Sequence, residues 1–259
     1  MKFHFLFFLL ICNTCFSQSW MAEVMAGAST YNGDLTQSPV SFKRVDPAFA
    51  VNLKFNSGDF INFRFGFALE KVGADDKDNK SSFLQARNLN FKTNILEFNA
   101  CIEFNLLDPS IYDQYPYLFA GFGIFHFNPY TTDDNNKKTY LHPLSTEGEG
   151  LPDFPGRKAY SLTQPCIPIG AGFKIKPNDK LELSYELGYR VLFTDYLDDV
   201  SKTYVSVETL GLRKGPEAAE LSYRKKGVAF SEEGFPRGNP KVKDYYFFTG
   251  LKIAFKLSK

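Results

Sequence analysis

The stretch FINFRFGFAL, residues Phe60–Leu69, decides the fold of this chain. Its side chains alternate between two faces, one apolar and one polar or small. The apolar face consists of Ile61, Phe63, Phe65, Phe67 and Leu69. Because successive side chains of a β-strand point to opposite sides of the sheet, a period of two predicts a strand. Such a strand fits either a membrane barrel, with lipid outside and a polar lumen inside, or a soluble sheet with a dry core on one side and water on the other.

Seven further segments show comparable alternation and are predicted to be strands. They are Trp20–Ala28, Ala48–Asn56, Asn94–Leu106, Tyr117–Phe127, Cys166–Lys176, Leu181–Phe193 and Tyr245–Leu257. Most have close to the ~9–11 residues with which a tilted strand crosses a bilayer. The segment Tyr117–Phe127 is apolar on both faces, so its orientation stays open.

The connections between these strands alternate in length. Three are short turns whose Pro, Asn, Asp and Gly supply the required backbone angles. These turns are Asn56–Asp59, Asp108–Gln114 and Pro177–Asp179. The long connections are Ser29–Asp46, Val72–Arg87, Asn128–Thr163 and Thr194–Lys243. Outer-membrane barrels have short periplasmic turns and long extracellular loops, and an even number of strands places both termini in the periplasm.

The predicted polar faces mix charges of both signs, which fits a narrow, filled lumen where each charge needs a partner. The charged residues are Lys54, Arg64, Glu97, Glu103, Glu182, Glu186, Arg190 and Lys252. Thr249–Phe255 also has the polar–Gly–x–x–apolar–x–aromatic pattern of a barrel insertion signal. We therefore predict an all-β fold, an eight-stranded antiparallel transmembrane barrel over residues 18–259. The alternative is a secreted β-sandwich or lipocalin-like barrel with its apolar faces inward.

Residues 1–17 have the features of a cleaved signal peptide. Lys2 supplies a positive start, Phe5–Ile11 is apolar, and the small residue Ser17 precedes a cut before Gln18. Beyond this segment no apolar run of about 18 residues occurs, so no membrane-spanning helix is predicted. The sequence therefore predicts export to the outer membrane.

The composition argues against nucleic acid as a partner, because the formal net charge is only +1 over 259 residues. Two cysteines, Cys101 and Cys166, remain after cleavage. Both occupy small-residue positions on strands that we expect not to be neighbours. Two isolated buried thiols are therefore expected, with a disulfide as the alternative.

No catalytic residue, cofactor site or metal site is predicted. His126 is expected to be packed or lumen-facing, and neither it nor His142 belongs to an HExxH motif. The runs Asp75–Asp78 and Asp133–Asp134 lack the Gly turn and terminal Glu of a calcium loop, so solvated carboxylates are expected. An outer-membrane enzyme would need a His, Ser or paired-acid cluster at the rim, and the sequence does not indicate one. An eight-stranded interior is just wide enough to be filled by side chains, so no pore is predicted.

Two loop segments have unusually specific sequences, namely Leu141–Gly150 and Leu192–Tyr204. In the second, Thr194 or Asp195 is predicted to cap a short helix with Asp198 and Asp199 in its first turns. The side chains expected to pack on the barrel rim are Tyr196, Leu197 and Val200. Two roles stay open for these segments: sealing the barrel mouth and binding a partner.

Five short motifs occur in order along the chain. They are Tyr31–Leu35, Arg87–Leu89, Pro116–Gly121, Thr146–Gly148 and Asp195–Ser201. Together they resemble the PorG-like outer-membrane proteins of the type IX secretion system, and Ser206–Lys243 matches least. The resemblance implies an outer-membrane barrel associated with a periplasmic ring of the lipoprotein PorK and its partner PorN (GldK and GldN in gliding bacteria). That ring takes part in protein export and, in some species, gliding motility, and no catalytic residues come with the family.

We therefore predict a non-enzymatic component of this secretion system that anchors or organises the ring, with outer-membrane lipid around it and no cofactor. The docking candidates on the predicted periplasmic turns are Asn56, Asp59, Asp108, Asp113, Pro177 and Asp179. The loop candidates are Thr146, Glu147, Gly148, Asp195, Tyr196, Leu197, Asp198 and Asp199. The alternative is a small surface-exposed barrel that binds an extracellular ligand through its long loops.

Overall fold

A computed structural model describes residues 18–38, 43–132, 137–225 and 232–257. The predicted signal peptide and the Asp133–Asp134 run lie outside these ranges. The strands are β1 (Ser19–Asn32), β2 (Asp46–Asn56), β3 (Ile61–Asp75), β4 (Asn90–Asn105), β5 (Gln114–His126), β6 (Tyr130–Thr132), β7 (Lys138–Tyr140), β8 (Thr163–Asn178), β9 (Leu181–Leu192) and β10 (Tyr245–Lys256). The α-helices are α1 (Ser82–Arg87), α2 (Val207–Lys214) and α3 (Pro216–Ser222), and two 3₁₀ turns cover Asp76–Asp78 and His142–Leu144.

The eight long strands form a closed antiparallel barrel. Each pairs with its neighbour in chain order, β5 pairs with β8, and β10 pairs with β1 to close the sheet. The short strands β6 and β7 form a hairpin that joins β4 only at Lys92 and Tyr130. The predicted fold is confirmed, and β3 and β4 extend further than expected towards the long loops, to Asp75 and from Asn90.

The apolar faces of the strands point outward. Phe65 lies in register with Leu53 of β2 and Ala100 of β4, and its side chain is 53% exposed. In β5, Phe122 and Ile124 face outward while Phe125 is buried inside, which settles the orientation that the sequence left open. This arrangement contradicts the alternative in which the apolar faces form a protein interior. Among the described residues, no helix has the length and apolar character needed to cross a bilayer.

The barrel interior is filled by charged side chains that pair with one another. Arg64 Nη1 lies 2.8 Å from Glu103 Oε1 and 2.5 Å from Glu186 Oε2. Lys252 Nζ lies 2.8 Å from Glu186 Oε2, and Lys174 Nζ lies 2.6 Å from Glu103 Oε2. These side chains are at least nine-tenths buried, so their mutual contacts replace the water that each charge gives up.

An apolar cluster lies between these charges and the long loops. Its members include Tyr31, Phe91, Phe125, Phe127, Leu197, Val200 and Tyr246. The hydroxyl of Tyr246 donates to Glu97 Oε2 in the lumen (2.8 Å), and the hydroxyl of Tyr31 contacts loop carboxylates on the other side. The barrel is therefore sealed at the end that carries the long loops.

Cys101, Cys166 and His126 occupy positions for which the sequence made a prediction. Cys101 and Cys166 are buried free thiols, and β5 separates their strands, so the prediction of two isolated thiols is confirmed. His126 instead lies exposed on the outer face, with Nδ1 3.0 Å from Thr163 Oγ1. The expectation of a packed or lumen-facing ring is wrong, because His126 follows the inward-facing Phe125 and strand side chains alternate.

Candidate functional site: the loop cap and the turn end

The described parts of the four long connections pack together over one end of the barrel. We call this assembly the loop cap; it comprises 33–45, 76–89, 127–162 and 193–244 within the described ranges. At its centre, Arg87 donates to both carboxylate oxygens of Asp76 (2.8 and 2.7 Å). The same guanidinium donates to the carbonyl oxygens of Asp34 (2.9 Å) and Arg237 (2.5 Å). One buried arginine thereby joins three of the loops.

Glu147 is a second centre of the loop cap. Its carboxylate pairs with Arg237 Nη1 (3.1 Å) and accepts from the backbone N–H groups of Ser201 (3.0 Å) and Lys202 (2.8 Å). The neighbouring Thr146 Oγ1 donates to Asp199 Oδ2 (2.5 Å). Thr146 and Glu147 are fully buried. These residues hold the 195–202 segment in place, and nothing in this conformation leaves them free to meet a partner.

Gly148 and Asp199 adopt left-handed backbone angles, with φ of 81° and 67°. At Gly148 a side chain would collide with the ring of Phe154, since its Cβ would lie 2.4 Å from Cδ2. At Asp199 the strained backbone is held by hydrogen bonds from Thr146 and Tyr160 to the carboxylate. Burial raises the pKa of Asp199 to about 6, and the nearby Arg237 opposes that rise.

The predicted short helix after Thr194 is wrong. Thr194 Oγ1 accepts from the N–H of Tyr196 (3.2 Å), and Asp198 Oδ1 accepts from the N–H of Val200 (2.8 Å). These local side-chain bonds take the N–H groups that a helix would use and give an irregular turn instead. The predicted packing is confirmed for Leu197 and Val200, which belong to the apolar cluster below, whereas Tyr196 stacks on Tyr160 of the third long loop with the ring centroids 4.6 Å apart.

The helices of this loop lie further on, in the stretch that least resembles the PorG-like family. Ser206 Oγ accepts from the N–H of Thr209 (3.2 Å) and caps α2. Gly215 then ends α2, and Pro216 begins α3. The signals for both helices were present in the sequence as a Ser cap and a Gly–Pro junction.

Two carboxyl groups of the loop cap, those of Asp195 and Glu149, are buried with at least one oxygen that accepts no hydrogen bond. Burial raises the pKa of Asp195 to about 7 and that of Glu149 to about 8, and Asp199 adds to the rise at Glu149. Burial also raises the pKa of Asp34 to about 6, although a backbone N–H and Arg87 lower it. The loop cap is therefore an acid-rich interior whose stability depends on pH.

The acidic run after β3 is ion-paired. Arg44 contacts Asp75 (3.1 Å) and Asp78 (2.6 Å), and Asp76 is occupied by Arg87. The expectation of a solvated carboxylate is wrong for the buried Asp76, whereas Asp75 and Asp78 form ion pairs at the surface and Asp78 keeps a partly exposed side chain. Within the ranges that the structure describes, no three His, Cys, Asp or Glu side chains converge as metal ligands.

The three short turns lie together at the opposite end, which we call the turn end. Both described chain ends are there too, since the N–H of Leu257 donates to the carbonyl of Trp20 (2.8 Å). A polar cavity of about 360 Å³ opens between the turns. Its lining includes the docking candidates Asn56, Asp59 and Asp179. The other candidates, Asp108, Asp113 and Pro177, lie on the turns outside its lining.

The turn between β4 and β5 is held in one shape. Asp108 Oδ1 accepts from the N–H (2.8 Å) and the hydroxyl (2.6 Å) of Ser110, and these bonds lower the pKa of Asp108. The carbonyl of Asp108 accepts from the N–H groups of Ile111 and Tyr112. Ile111 is 72% exposed beside the half-exposed Tyr112. This apolar tip was not predicted from the sequence, although an Ile–Tyr pair within a polar turn was its signal.

The family model described as "Domain of unknown function (DUF6089)" matches residues 1–146, which is more than half of the chain. The matched region runs from the N-terminus through β5 and into the third long loop. A comparison with curated proteins finds no match.

Several solved structures are similar in fold. Neisserial surface protein A is 8% identical, covers 93% of this chain and 99% of its own, and superposes with a TM-score of 0.47. The attachment invasion locus protein Ail of Yersinia pestis is 9% identical, covers 93% and 99%, and has a TM-score of 0.44. The outer membrane protein OprG from Pseudomonas aeruginosa is 9% identical, covers 93% and 98%, and also has a TM-score of 0.44. The barrel architecture itself follows from the strand pairing described above.

Proposed function

We propose that this protein, which belongs to the family described as domain of unknown function DUF6089, is a non-enzymatic outer-membrane component of the type IX secretion system. In this role it anchors or organises the periplasmic ring of PorK and PorN (GldK and GldN). The observation that carries the proposal is the apolar outer face around a lumen filled with ion pairs. Such a barrel is anchored in the membrane by its outer face, and its two ends are available for contacts with other proteins.

The outer face supports a membrane location, because exposing its apolar side chains to water would cost free energy. Full burial of one Phe or Leu side chain contributes about 1.5–3 kcal/mol. Most outward side chains of the barrel are of this kind, among them Phe49, Phe65, Phe98, Phe122 and Leu251. Acyl chains cover such a surface, and a closed barrel satisfies its backbone hydrogen bonds within a bilayer. Bacterial barrels of this form belong to the outer membrane.

The turn end is the proposed docking surface. In outer-membrane barrels the short turns lie in the periplasm, and both chain ends of an even-stranded barrel lie there too. Here the turns carry Asp108, Asp113 and Asp179 at the surface, and the contacts of Asp108 with Ser110 fix one turn before any partner binds. A pre-formed surface loses less conformational entropy on binding. We propose the ring as the partner because the ordered motifs resemble those of PorG-like proteins.

The test is charge reversal at the turn end. A triple variant with Asp108→Lys, Asp113→Lys and Asp179→Lys is expected to lose most co-purification with the ring proteins under mild detergent. The matched control reverses exposed acids of the loop cap, Glu208→Lys, Glu220→Lys and Glu233→Lys, and is expected to keep it. Equal recovery of the ring from both variants would exclude the turn end as the docking surface.

A second candidate function is binding of an extracellular ligand by the loop cap. Leu212 of α2 and Phe235 are 82% and 61% exposed, which favours a contact surface on that end. The variants Leu212→Ser and Phe235→Ser are expected to abolish such binding while ring association and secretion persist. If secretion fails in these variants with the ring still bound, the loop cap belongs to the secretion function instead.

A further inference from the structure

Three side chains from distant parts of the chain meet beneath the loop cap. The hydroxyl oxygen of Tyr31 lies 2.6 Å from Asp198 Oδ2 and 3.0 Å from Asp244 Oδ1. Each of the three residues is 1% exposed. A tyrosine hydroxyl has one hydrogen, so it donates to one carboxylate only. The other contact would join two acceptors unless a carboxyl group carries a proton and donates to the tyrosine oxygen.

The remaining oxygens of both carboxyl groups are also in use. Asp198 Oδ1 accepts from the N–H of Val200 (2.8 Å), and Asp244 Oδ2 accepts from the N–H of Leu197 (2.9 Å). Two backbone donors do not neutralise two buried negative charges. The geometry thus requires one further hydrogen at the tyrosine oxygen, and its source is a protonated Asp198 or Asp244.

The surroundings favour that proton. Asp34 and Asp195 face the pair and add negative potential, and Tyr160 faces Asp198 from the third long loop. Arg87 interacts with Asp198, but its guanidinium is already bonded to Asp76 and two carbonyl oxygens. Burial first, and the neighbouring carboxylates second, raise the pKa of both Asp198 and Asp244. Such a pair titrates as one unit.

We propose that Asp198, Tyr31 and Asp244 form a proton-binding site in which one shared proton holds the loop cap closed on the barrel rim. The site connects the end of β1, the start of the longest loop and the residue just before β10. Loss of the proton leaves two negative charges in contact with one hydroxyl. The segment that carries Leu197 and Val200 then separates from the apolar cluster, and the barrel mouth opens.

The sign of the pH dependence follows from the number of protons bound. The closed cap holds a proton that a solvated aspartate releases above about pH 4. Closing therefore weakens as the pH rises, by up to about tenfold in the closing equilibrium per pH unit. Cleavage of the loop cap by a protease, normalised to cleavage of a denatured substrate at the same pH, is expected to rise accordingly.

Infrared difference spectroscopy of the full barrel in detergent tests the site directly. At neutral pH, the spectrum of the wild type minus that of Asp198→Asn is expected to contain the C=O band of one protonated carboxyl. In the variant this band is lost, because Asp244 is ionised and the hydroxyl of Tyr31 donates to it alone. The control Asp153→Asn alters an exposed acid bonded to Arg213 and is expected to remove an ionised carboxylate only. A difference spectrum for Asp198→Asn with only the ionised band would overturn the proposal.

A second measurement starts from the unmodified protein, so its first comparison does not depend on the folding of a variant. Protease cleavage of the cap is measured across pH with calcium and with a chelator. A rise in cleavage with pH that is the same in both solutions supports the shared proton, provided that it persists in Glu149→Gln, since Glu149 also releases a proton in this pH range. Protection by calcium would mean that a metal ion neutralises the pair, and a rate independent of pH would mean that no proton is shared; either result overturns the proposal.

Discussion

An arginine on the outer face at mid-height should destabilise the barrel far more than one at its edge. Phe65 and Ile61 lie on the same face of β3, four residues apart. At about 3.4 Å per residue this is ~14 Å along the strand, or roughly 10 Å in depth for a tilt near 40°. Ile61 begins β3 at the turn end, so Phe65 lies near the bilayer midplane. Phe65→Arg is expected to cost about 2–4 kcal/mol, and Ile61→Arg about 0–1 kcal/mol.

The assay is urea unfolding of the barrel in lipid vesicles, followed by its heat-modifiable migration on gels. A cost of 2–4 kcal/mol lowers the folding equilibrium constant about 30-fold to 1000-fold, which is well within the range of such titrations. If the outer face met water, both arginines would be tolerated. If it met protein, both would unfold the barrel. Either result would refute the assignment of this face to lipid.

Three other predictions concern the two ends of the barrel. Glu147→Gln leaves the buried Arg237 without its ion pair and is expected to cost the loop cap about 3–5 kcal/mol, measured as faster protease cleavage there. Ile111→Asp with Tyr112→Ser is expected to weaken co-purification with the ring and to leave the unfolding midpoint in urea unchanged; a lower midpoint would mean that these residues stabilise the barrel. Because burial raises the pKa of Glu149 to about 8, the folded cap retains a proton that the unfolded chain loses, so stability falls between about pH 5 and 8. Glu149→Gln is expected to flatten that decline in thermal unfolding.

The strands were predictable because their signal is local. In Phe60–Leu69 the polarity of each side chain indicates which side of the sheet it faces. The lengths of the connections indicate which strands pair. Which face of β5 points outward was not predictable, because Tyr117 and Phe119 are as apolar as the outward side chains and yet pack inside the barrel. They fit there beside charges: Tyr117 donates to Glu186 (2.7 Å), and Arg64 lies over the ring of Phe119.

The loop cap was much less predictable because its contacts are distant in sequence. Glu147 meets Ser201, Lys202 and Arg237, which are 54, 55 and 90 residues away. The motif containing Glu147 was recognisable as unusual, but its partners were not. The wrong prediction of a helix near Thr194 has the same cause. The side chains that suggested a helix cap instead form hydrogen bonds within an irregular turn, and contacts with other loops hold that turn in place.

The ion pairs in the lumen have a consequence for how the barrel is made. Lys54 of β2 reaches Glu182 of β9, and Lys252 of β10 reaches Glu103 of β4. These strands are not neighbours in the sheet, so a half-finished barrel lacks these two pairs, although pairs between adjacent strands such as Arg64 with Glu103 can already form. The full set of ion pairs is complete only when the last strand meets the first. Closure should therefore be cooperative, and a chain paired in the wrong register would be rejected before it could persist in the bilayer.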